Sequence, residues 1–480
     1  MTTAVRPRPV LCVTEHEHRS RQIADDVRRG RFTVAGETRT LGTDPDWRSR
    51  DLPRDEEWRI EWVKFGWGLD LAHAGHQQPW EELTASWIRR CEPDEDAPEV
   101  TARRILNWIY AWQRFDVADA HAGRLRASLA DQVEHVRANL APARNHRTLE
   151  LYALFVAGLA FPELGTLDFA TAELDRNLAT DFRPDGVHVE ASTHYHAIAL
   201  RSFVGARENA RRHGIDLPAG FDERVARACR FLAHCTRPDG TIAALSDADT
   251  GDYRPLLALA GEPEATGHAS FPDGGYHVQR GGSRFLVFDC GPLGEGGHGH
   301  YDLLSFEAHA GGRPLVLDPG RGSYSEAPPN LRRWFRGTRA HNTVCVDGLD
   351  QTPYTRGRPL GPVAQGRFLG RESAPGLDVI CGEATSPAYE VVHRRRISFV
   401  DDAHWIIDDE LEGGREHEYD LRFHLPPGPR EPRTLAIEGA DAVAVERGWI
   451  APRYGELLDA PVVSAVARGR RARFRTVLTP

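Results

Sequence analysis

The hydrophobic pattern of the chain changes its period near residues 262–275, and this change constrains the fold more than any other feature. Between about residues 55 and 260 the apolar positions recur at helical spacing, as in the face formed by Ile105, Leu106, Ile109 and Trp112. After about residue 274, short apolar runs alternate with Gly, Pro and Asp turns, for example at 284–289. The sequence therefore predicts a helical part followed by a β part.

The helical part contains several segments of helix length that are separated by Pro and Gly, including a turn predicted at 183–186. Further short runs in the β part predict strands at 303–308, 314–318, 342–347, 397–400 and 404–408. We predict an all-α domain of paired helices at 51–265 and an antiparallel β-sandwich at 270–480. Residues 1–50 are polar and predict an irregular N-terminal arm.

Composition indicates a globular protein with free thiols. The seven cysteines are scattered, and no Cys-x-x-Cys pair occurs, which disfavours a disulfide framework or a cysteine zinc site. No run of about 18 apolar residues predicts a transmembrane helix. The first residues do not have the pattern of a secretory signal, so we expect a cytoplasmic protein that does not associate with membranes.

Almost all of the positive charge comes from arginine, since Lys64 is the only lysine, and the net charge is −10. An acidic chain of this kind is a poor candidate for nucleic-acid binding. One local patch has the opposite sign and favours an anionic ligand, because arginine binds carboxylates and sulfates in bidentate fashion. The patch consists of Arg332, Arg333, Arg336 and Arg339.

Side chains that could bind a metal follow one another in the β part. The segment Gly297-His298-Gly299-His300 is followed by Asp318 and then by His341. Two imidazoles and one carboxylate could form a zinc site with an open position, and His298 would remain available for chemistry. The alternative is that histidines at strand ends only form hydrogen bonds with turns.

The helical part has a second group of polar residues. Asn145 and His146 open a predicted helix, and Glu150 lies on the same face one turn later. Donors at the start of a helix suit a carboxylate ligand. Further along, Glu190 precedes Tyr195, whose phenol could act as an acid or a base if its environment shifts its pKa. The alternative is that Tyr195 and His196 are core residues whose polar atoms are satisfied, as is usual for such a pair.

Taken in order, these motifs resemble the heparinase II/III-like polysaccharide lyases, a group related to the alginate and oligoalginate lyases. The resemblance spans residues 145–346. It rests on Asn-His-x3-Glu, Asp-Gly-x3-Glu-x-Ser-x2-Tyr-His, Gly-His-Gly-His-x-Asp-x-Leu-Ser-Phe, Asp-Pro-Gly and Arg-Ala-His-Asn-Thr-Val.

The resemblance implies an N-terminal (α/α) toroid of helix pairs and a C-terminal antiparallel β-sandwich. It implies a carbon–oxygen lyase that cleaves a uronate-containing oligo- or polysaccharide by β-elimination. In that reaction Asn145 and His146 would neutralise the uronate carboxylate. Tyr195 and His298 would act as acid and base, and either of them could remove the proton, depending on the stereochemistry of the sugar. The resemblance also implies a zinc ion that mainly organises the site, with His300, Asp318 and His341 as its ligands.

Other residues are weaker candidates. Glu150, Glu190, Tyr324 and Arg336 could contact the substrate, or could pack or form internal ion pairs. Asp302 could cap a turn or hold a histidine ring. Tryptophans at helical spacing could stack on sugars but favour a core role; they are Trp58, Trp62, Trp67, Trp108 and Trp112.

Three alternatives to a polysaccharide lyase stay open at this point. The chain could act on a small acidic metabolite, because elimination needs only an acidic C–H beside a carboxyl group and a leaving group. It could be a hydrolase that activates water with the same metal, although no suitably spaced pair of acidic residues stands out. It could also bind carbohydrate without turnover. The sequence does not assign the uronate, the choice between endo and exo action, or the oligomeric state.

Overall fold

The computed structural model describes residues 6–13, 19–34, 36–53, 56–428 and 435–479. The chain forms two compact units. The first unit contains residues 1–181 and 199–223, and the second contains 182–198 and 224–480. Within the described residues, no helix combines the length and the apolar character that crossing a membrane requires. The predicted domain limits at 50, 265 and 270 remain a prediction.

The first unit is predominantly helical. Its helices are α1 (Arg21–Arg28), α2 (Glu56–Val63), α3 (Trp67–Ala74), α4 (Gln77–Arg90), α5 (Pro98–Trp112), α6 (Asp119–Ala138), α7 (Arg144–Ala160), α8 (Leu167–Asp181) and most of α9 (Thr193–His213). Strands β1 (Arg31–Val34) and β2 (Glu37–Thr40) form an antiparallel hairpin. The prediction that residues 1–50 are irregular is therefore wrong for α1 and for the hairpin. Ala24 and Val27 give α1 a buried face.

Helix α7 lies against α5 and α8 and has apolar side chains around most of its circumference. A helix of that kind must be buried on nearly all sides. At Gly158 an added Cβ would lie 2.8 Å from the backbone nitrogen of Leu167, so glycine allows the start of α8 to approach closely. The apolar face predicted on α5 is also buried.

The tryptophans of this unit belong to its core, as the sequence favours. Trp58, Trp62, Trp67, Trp108 and Trp112 are all buried. Several of these rings contact one another directly, with Trp58 and Trp62 stacked at a centroid distance of 5.7 Å. Their burial leaves no face for a sugar ring in this structure.

The second unit is dominated by antiparallel strands. They are β3 (Ala269–Phe271), β4 (Tyr276–Gly281), β5 (Arg284–Asp289), β6 (Phe306–Ala310), β7 (Arg313–Val316), β8 (Val344–Val346), β9 (Gln365–Ala374), β10 (Leu377–Thr385), β11 (Val391–Val400), β12 (His404–His424), β13 (Leu435–Glu438), β14 (Ala442–Ile450) and β15 (Leu458–Leu478). Strands β3 to β7 form one sheet in chain order. The other sheet has the order β13-β15-β12-β11-β10-β9, with β14 paired to β15 and β8 paired to β12.

The two sheets enclose a shared hydrophobic core, which includes Leu286 and Phe288 of β5 and Ile397 of β11. The alternate residues of β5, Phe285 and Val287, face a second apolar cluster on the other side of the same sheet. That cluster includes side chains of helix α10 (Phe221–Cys235). Two short helices, α11 (Arg254–Ala260) and α12 (Leu331–Arg336), complete the unit. A helical region followed by an antiparallel β-sandwich confirms the predicted fold class.

One predicted strand begins later than its sequence pattern indicates. Residues 303–305 precede β6 instead of belonging to it, because a turn joins the N–H of Ser305 to the carbonyl of Asp302 at 2.9 Å. Leu304 has a φ of 66°, which an extended strand cannot accommodate. Apolar alternation alone does not reveal this turn.

Candidate active site and metal centre

The candidate residues Asn145, His146 and Glu150 lie in the first unit. Helix α7 begins at Arg144, so Asn145 and His146 occupy its first turn, as predicted. Glu150 is buried, and its Oε2 accepts a hydrogen bond from the backbone N–H of Ala141 at 2.7 Å. Burial raises the pKa of the Glu150 carboxyl to about 7. The Glu150 side chain therefore holds the segment before α7 in place through its hydrogen bond to Ala141.

The candidate residues of the second unit converge on one aromatic pair. The ring of Tyr195, in the first turn of α9, stacks on the imidazole of His298 with centroids 3.7 Å apart and planes at 21°. Ser192 accepts a hydrogen bond from the Tyr195 backbone N–H at 3.2 Å and donates to the carbonyl of Asp247 at 2.8 Å. Two groups capable of proton transfer thus lie face to face.

The Tyr195 hydroxyl belongs to a short polar chain. It lies 3.0 Å from the hydroxyl of Tyr324, which in turn accepts from Arg321 Nη1 at 3.2 Å. Arg321 Nε donates to Asp249 at 2.7 Å. Burial raises the pKa of Tyr195 above its ordinary value, although the charge of Arg321 opposes that shift. The phenol consequently keeps its proton near neutral pH.

On its other side, His298 is bound to Asp247. The Nδ1 atom of His298 lies 3.0 Å from Asp247 Oδ2, and His300 Nε2 lies 2.8 Å from Asp247 Oδ1. The Arg332 guanidinium also donates to Oδ1. Burial by itself would raise the pKa of this carboxyl, but Arg332 and the two imidazoles outweigh it and hold the pKa well below its usual range. Asp247 is therefore an ionised acceptor for all three donors.

The three predicted metal ligands form one buried cluster. His300 lies before β6, Asp318 follows β7, and His341 precedes β8. Ligand atoms from all three lie within 4.8 Å of one another. Loops at the ends of separate strands thus bring together residues that are distant in sequence.

The donor set fits a metal ion. His341 Nε2 donates to the carbonyl of Phe335 at 3.0 Å, and its Nδ1 lies 2.7 Å from Asp318 Oδ2. His300 uses Nε2 toward Asp247, and no described residue forms a hydrogen bond with its buried Nδ1. Each imidazole therefore has one nitrogen fixed by an outer acceptor and the other available to a cation, the usual pattern in metal sites.

The ionisable groups of this cluster shift one another's pKa values. Burial raises the pKa of the Asp318 carboxyl to about 6. Burial would lower the pKa of His341, but the neighbouring Asp318 charge raises it to about 9. Burial lowers the pKa of His300 to about 3. A divalent cation would replace the proton that His341 and Asp318 share.

The arginine patch predicted to bind an anion is used largely inside the protein. Arg332 donates to Asp247 and to the carbonyl of Gly297. Arg336 is fully buried and donates to the carbonyls of Gly299, Thr355 and Gly357. This burial argues against the substrate contact predicted for Arg336.

Other candidates from the sequence have mixed surroundings. Glu190 is buried, and its charge adds to the effect of burial in raising the pKa of Tyr195. Tyr324 borders the Tyr195 hydroxyl directly. Asp302 is buried, and its backbone carbonyl closes the turn before β6. Its predicted role as a turn residue agrees with that contact.

Three residues of the site are absent from the predictions made from sequence, namely Asp247, Asp249 and Arg321. The two aspartates follow the short apolar run at 242–245 with one residue between them. Two aspartates separated by one residue are the only local feature that could have pointed to the site, and many surface loops have the same pattern. Their partners are 51 and 72 residues away in the chain.

Comparison with known families agrees with this arrangement. Residues 13–260 match the heparinase II/III N-terminus, and residues 263–477 match the heparinase II/III-like C-terminal domain. The chain belongs to the heparinase II/III family.

Among curated proteins, a heparin-sulfate lyase of Pedobacter heparinus is 23% identical over 428 residues, covering 78% of this chain and 62% of the relative. A heparin-sulfate lyase of Bacteroides stercoris is 24% identical over 459 residues, covering 81% of this chain and 66% of the relative. The chain thus spans less than two thirds of the length of these two relatives.

Solved structures show the same fold. A crystal structure of heparinase III superimposes with a TM-score of 0.83 at 18% sequence identity, covering 100% of this chain and 88% of the other. At that identity the likeness establishes the α/α toroid and β-sandwich architecture.

Proposed function

We propose that this chain is a lyase that cleaves a uronate-containing oligo- or polysaccharide by β-elimination. The observation that carries the proposal is the stacked pair of Tyr195 and His298, whose polar atoms are oriented by Tyr324 and Asp247. The two relatives described above are named heparin-sulfate lyases, and a sulfated substrate is anionic. Both observations support an anionic carbohydrate as substrate.

The geometry favours different roles for the two side chains. Because Asp247 is ionised, His298 donates Nδ1–H to it, which leaves Nε2 as the ring nitrogen whose lone pair can take a proton. We infer that Nε2 takes the proton from the carbon beside the uronate carboxyl group. Tyr195, which holds its proton, gives it to the departing glycosidic oxygen. A carbon–carbon double bond forms as the carbon–oxygen bond breaks, and no water is consumed.

The uronate carboxylate must be stabilised while the proton leaves, since charge accumulates on its oxygens. The family resemblance assigns this role to Asn145 and His146, which lie in the first turn of α7. Helix starts present N–H groups and a partial positive charge that suit an anion. One such donor typically contributes about 3 kcal/mol to the transition state.

We further infer that His300, Asp318 and His341 bind Zn²⁺. A bound zinc ion would supply positive charge and fixed geometry near His298 without itself taking part in proton transfer. The buried, closely spaced donors support this assignment. His300 is two residues from His298, so the ligand set would hold the segment that carries the proposed base.

Ultraviolet absorbance of the unsaturated uronate end tests the proposed reaction. The zinc-loaded protein would be incubated with heparan sulfate, heparin, chondroitin sulfate, hyaluronan and alginate oligosaccharides. We expect the absorbance to rise with at least one substrate and to stay at background with Tyr195→Phe.

The matched control is Tyr419→Phe, which removes a buried phenol hydroxyl that donates to the carbonyl of Arg470 at 3.2 Å. Tyr419 lies in β12, and its hydroxyl donates to Arg470 instead of to a candidate site residue, so this variant should retain activity. No absorbance with any uronate would contradict the proposed function. Equal activity of Tyr195→Phe and wild type would contradict the role of Tyr195.

A further inference from the structure

Asp247 joins the proposed base and the candidate metal cluster through one carboxylate. Its Oδ2 lies 3.0 Å from His298 Nδ1, and its Oδ1 lies 2.8 Å from His300 Nε2. The side chain of Asp247 is fully buried, and Arg332 provides its counter-charge. Two imidazoles with different proposed roles therefore share a single buried acceptor.

The backbone reinforces this connection. The N–H of Asp247 donates to the carbonyl of His298 at 3.1 Å, and the N–H of His300 lies 3.3 Å from Ser246 Oγ. Ser246 has a φ of 63°, a left-handed conformation that is costly for a serine and is maintained only when surrounding contacts hold it. The segments 246–247 and 298–300 are thus bound to each other by backbone and side-chain contacts.

These contacts define the tautomer of His298. Asp247 offers only lone pairs, so both imidazoles must donate to it. The hydrogen of neutral His298 then lies on Nδ1, and Nε2 is the nitrogen that can accept a proton. Without the carboxylate, His298 could adopt the other tautomer or rotate against Tyr195.

We propose that Asp247 is a positioning residue that sets the tautomer and orientation of His298 and couples them to the metal cluster through His300. Its catalytic consequence rests on the proposed lyase function, whereas the tautomer and the coupling can be measured without turnover. A change at the cluster would move the His300 imidazole, then the Asp247 carboxylate, then His298.

Selective nitrogen-15 labelling of histidine provides the direct test. The protein has 22 histidines, so the His298 signals would be assigned by comparison with His298→Gln. In the wild-type protein we expect the hydrogen of neutral His298 on Nδ1. Finding it on Nε2 would overturn the proposal even if Asp247→Asn failed to fold.

The coupling has its own measurement in the same spectra. Adding Zn²⁺ to the metal-free protein should shift the His298 ring signals in wild type, and this shift should be lost in Asp247→Asn. Unchanged His298 signals in wild type, with zinc shown to be bound, would overturn the coupling.

Kinetics test the catalytic consequence at saturating zinc. We expect Asp247→Asn to lower kcat by about 10- to 100-fold, as loss of a partner that orients a metal-site imidazole typically does. KM should stay within about threefold, because the substrate loses no contact of its own.

The control is Asp409→Asn. Asp409 is also fully buried, lies 2.6 Å from His393 Nε2 and accepts from Arg395 Nε at 2.7 Å. It lies on β12, and its carboxylate accepts from these two side chains instead of from a candidate site residue. Asp409→Asn should lose stability and keep its kcat. Equal losses of kcat in the two variants would show a merely structural role for Asp247. Absence of turnover in wild type, with His298 in the expected tautomer, would refute the lyase proposal and leave the positioning role intact.

Discussion

Gly299, which separates the two imidazoles of the Gly-His-Gly-His segment, should not tolerate even a methyl group. An added Cβ would lie 1.6 Å from the backbone oxygen of Leu293. Ordinary contacts between carbon and oxygen are about twice that distance, so the backbone would have to move by more than about 1 Å. A carbonyl oxygen cannot rotate away as a flexible side chain can. His298 and His300 would move with their shared neighbour.

We therefore expect Gly299→Ala to lower the free energy of unfolding by about 3 kcal/mol, the upper part of the range for overpacking. Denaturant unfolding would measure this loss, and metal analysis would show weaker zinc retention. Gly361→Ala is the matched control, because its Cβ would meet no atom within 4 Å. The free energy of unfolding of Gly361→Ala should stay within about 0.5 kcal/mol of the wild-type value. A Gly299→Ala protein as stable as that control, and still binding zinc, would refute this reasoning.

Three further results are expected. Tyr324→Phe removes the partner at 3.0 Å from the Tyr195 hydroxyl and should lower kcat by about tenfold with little effect on folding, measured by steady-state kinetics and thermal unfolding. The Asp409 pKa is lowered from 3.8 to about 2, since Arg395 and His393 outweigh burial. A carboxyl group whose pKa is lower in the folded state stabilises the fold at pH values above its unfolded-state pKa. The free energy of unfolding should therefore fall by about 2 kcal/mol as the pH drops from about 4 to about 2. Asp409→Asn should flatten this part of the plot of unfolding free energy against pH. A chelator should lower the Tm of wild type but not of His341→Ala, as calorimetry would show.

Most of the fold was predicted from the period of the hydrophobic pattern along the sequence. The apolar run 284–289 coincides with β5, because a strand buried on both faces has apolar residues at successive positions. The pattern failed where local backbone geometry overrides it, as at Leu304 with its positive φ. It also failed for α1, whose short apolar face lies within a polar segment.

The candidate site was predictable only in part. Motif order pointed to His300, Asp318 and His341, which the fold brings together. Asp247 could not be found in this way, because an isolated aspartate has no period and its partners lie more than 50 residues away. Clustering in sequence does not reveal that Arg336 is buried and that its Nε and Nη1 donate to backbone carbonyls inside the protein.

The arginines illustrate a general difficulty in predicting ligand sites from charge. Arg332 and Arg336 are four residues apart and both are buried, yet neighbouring Arg333 is exposed. Whether a guanidinium faces a ligand or a carbonyl depends on tertiary contacts that a linear pattern does not contain. Burial and the identity of the acceptors decide the role.

The most direct test of the account is the mass of the products formed in water labelled with heavy oxygen. The zinc-loaded protein would cleave the uronate substrate found in the absorbance screen, and both new chain ends would be weighed. Elimination by Tyr195 and His298 predicts an unsaturated product whose mass is lower by one water than that of the saturated product of hydrolysis. Neither product should contain heavy oxygen. Incorporation of one heavy oxygen per cleavage would contradict elimination and identify hydrolysis.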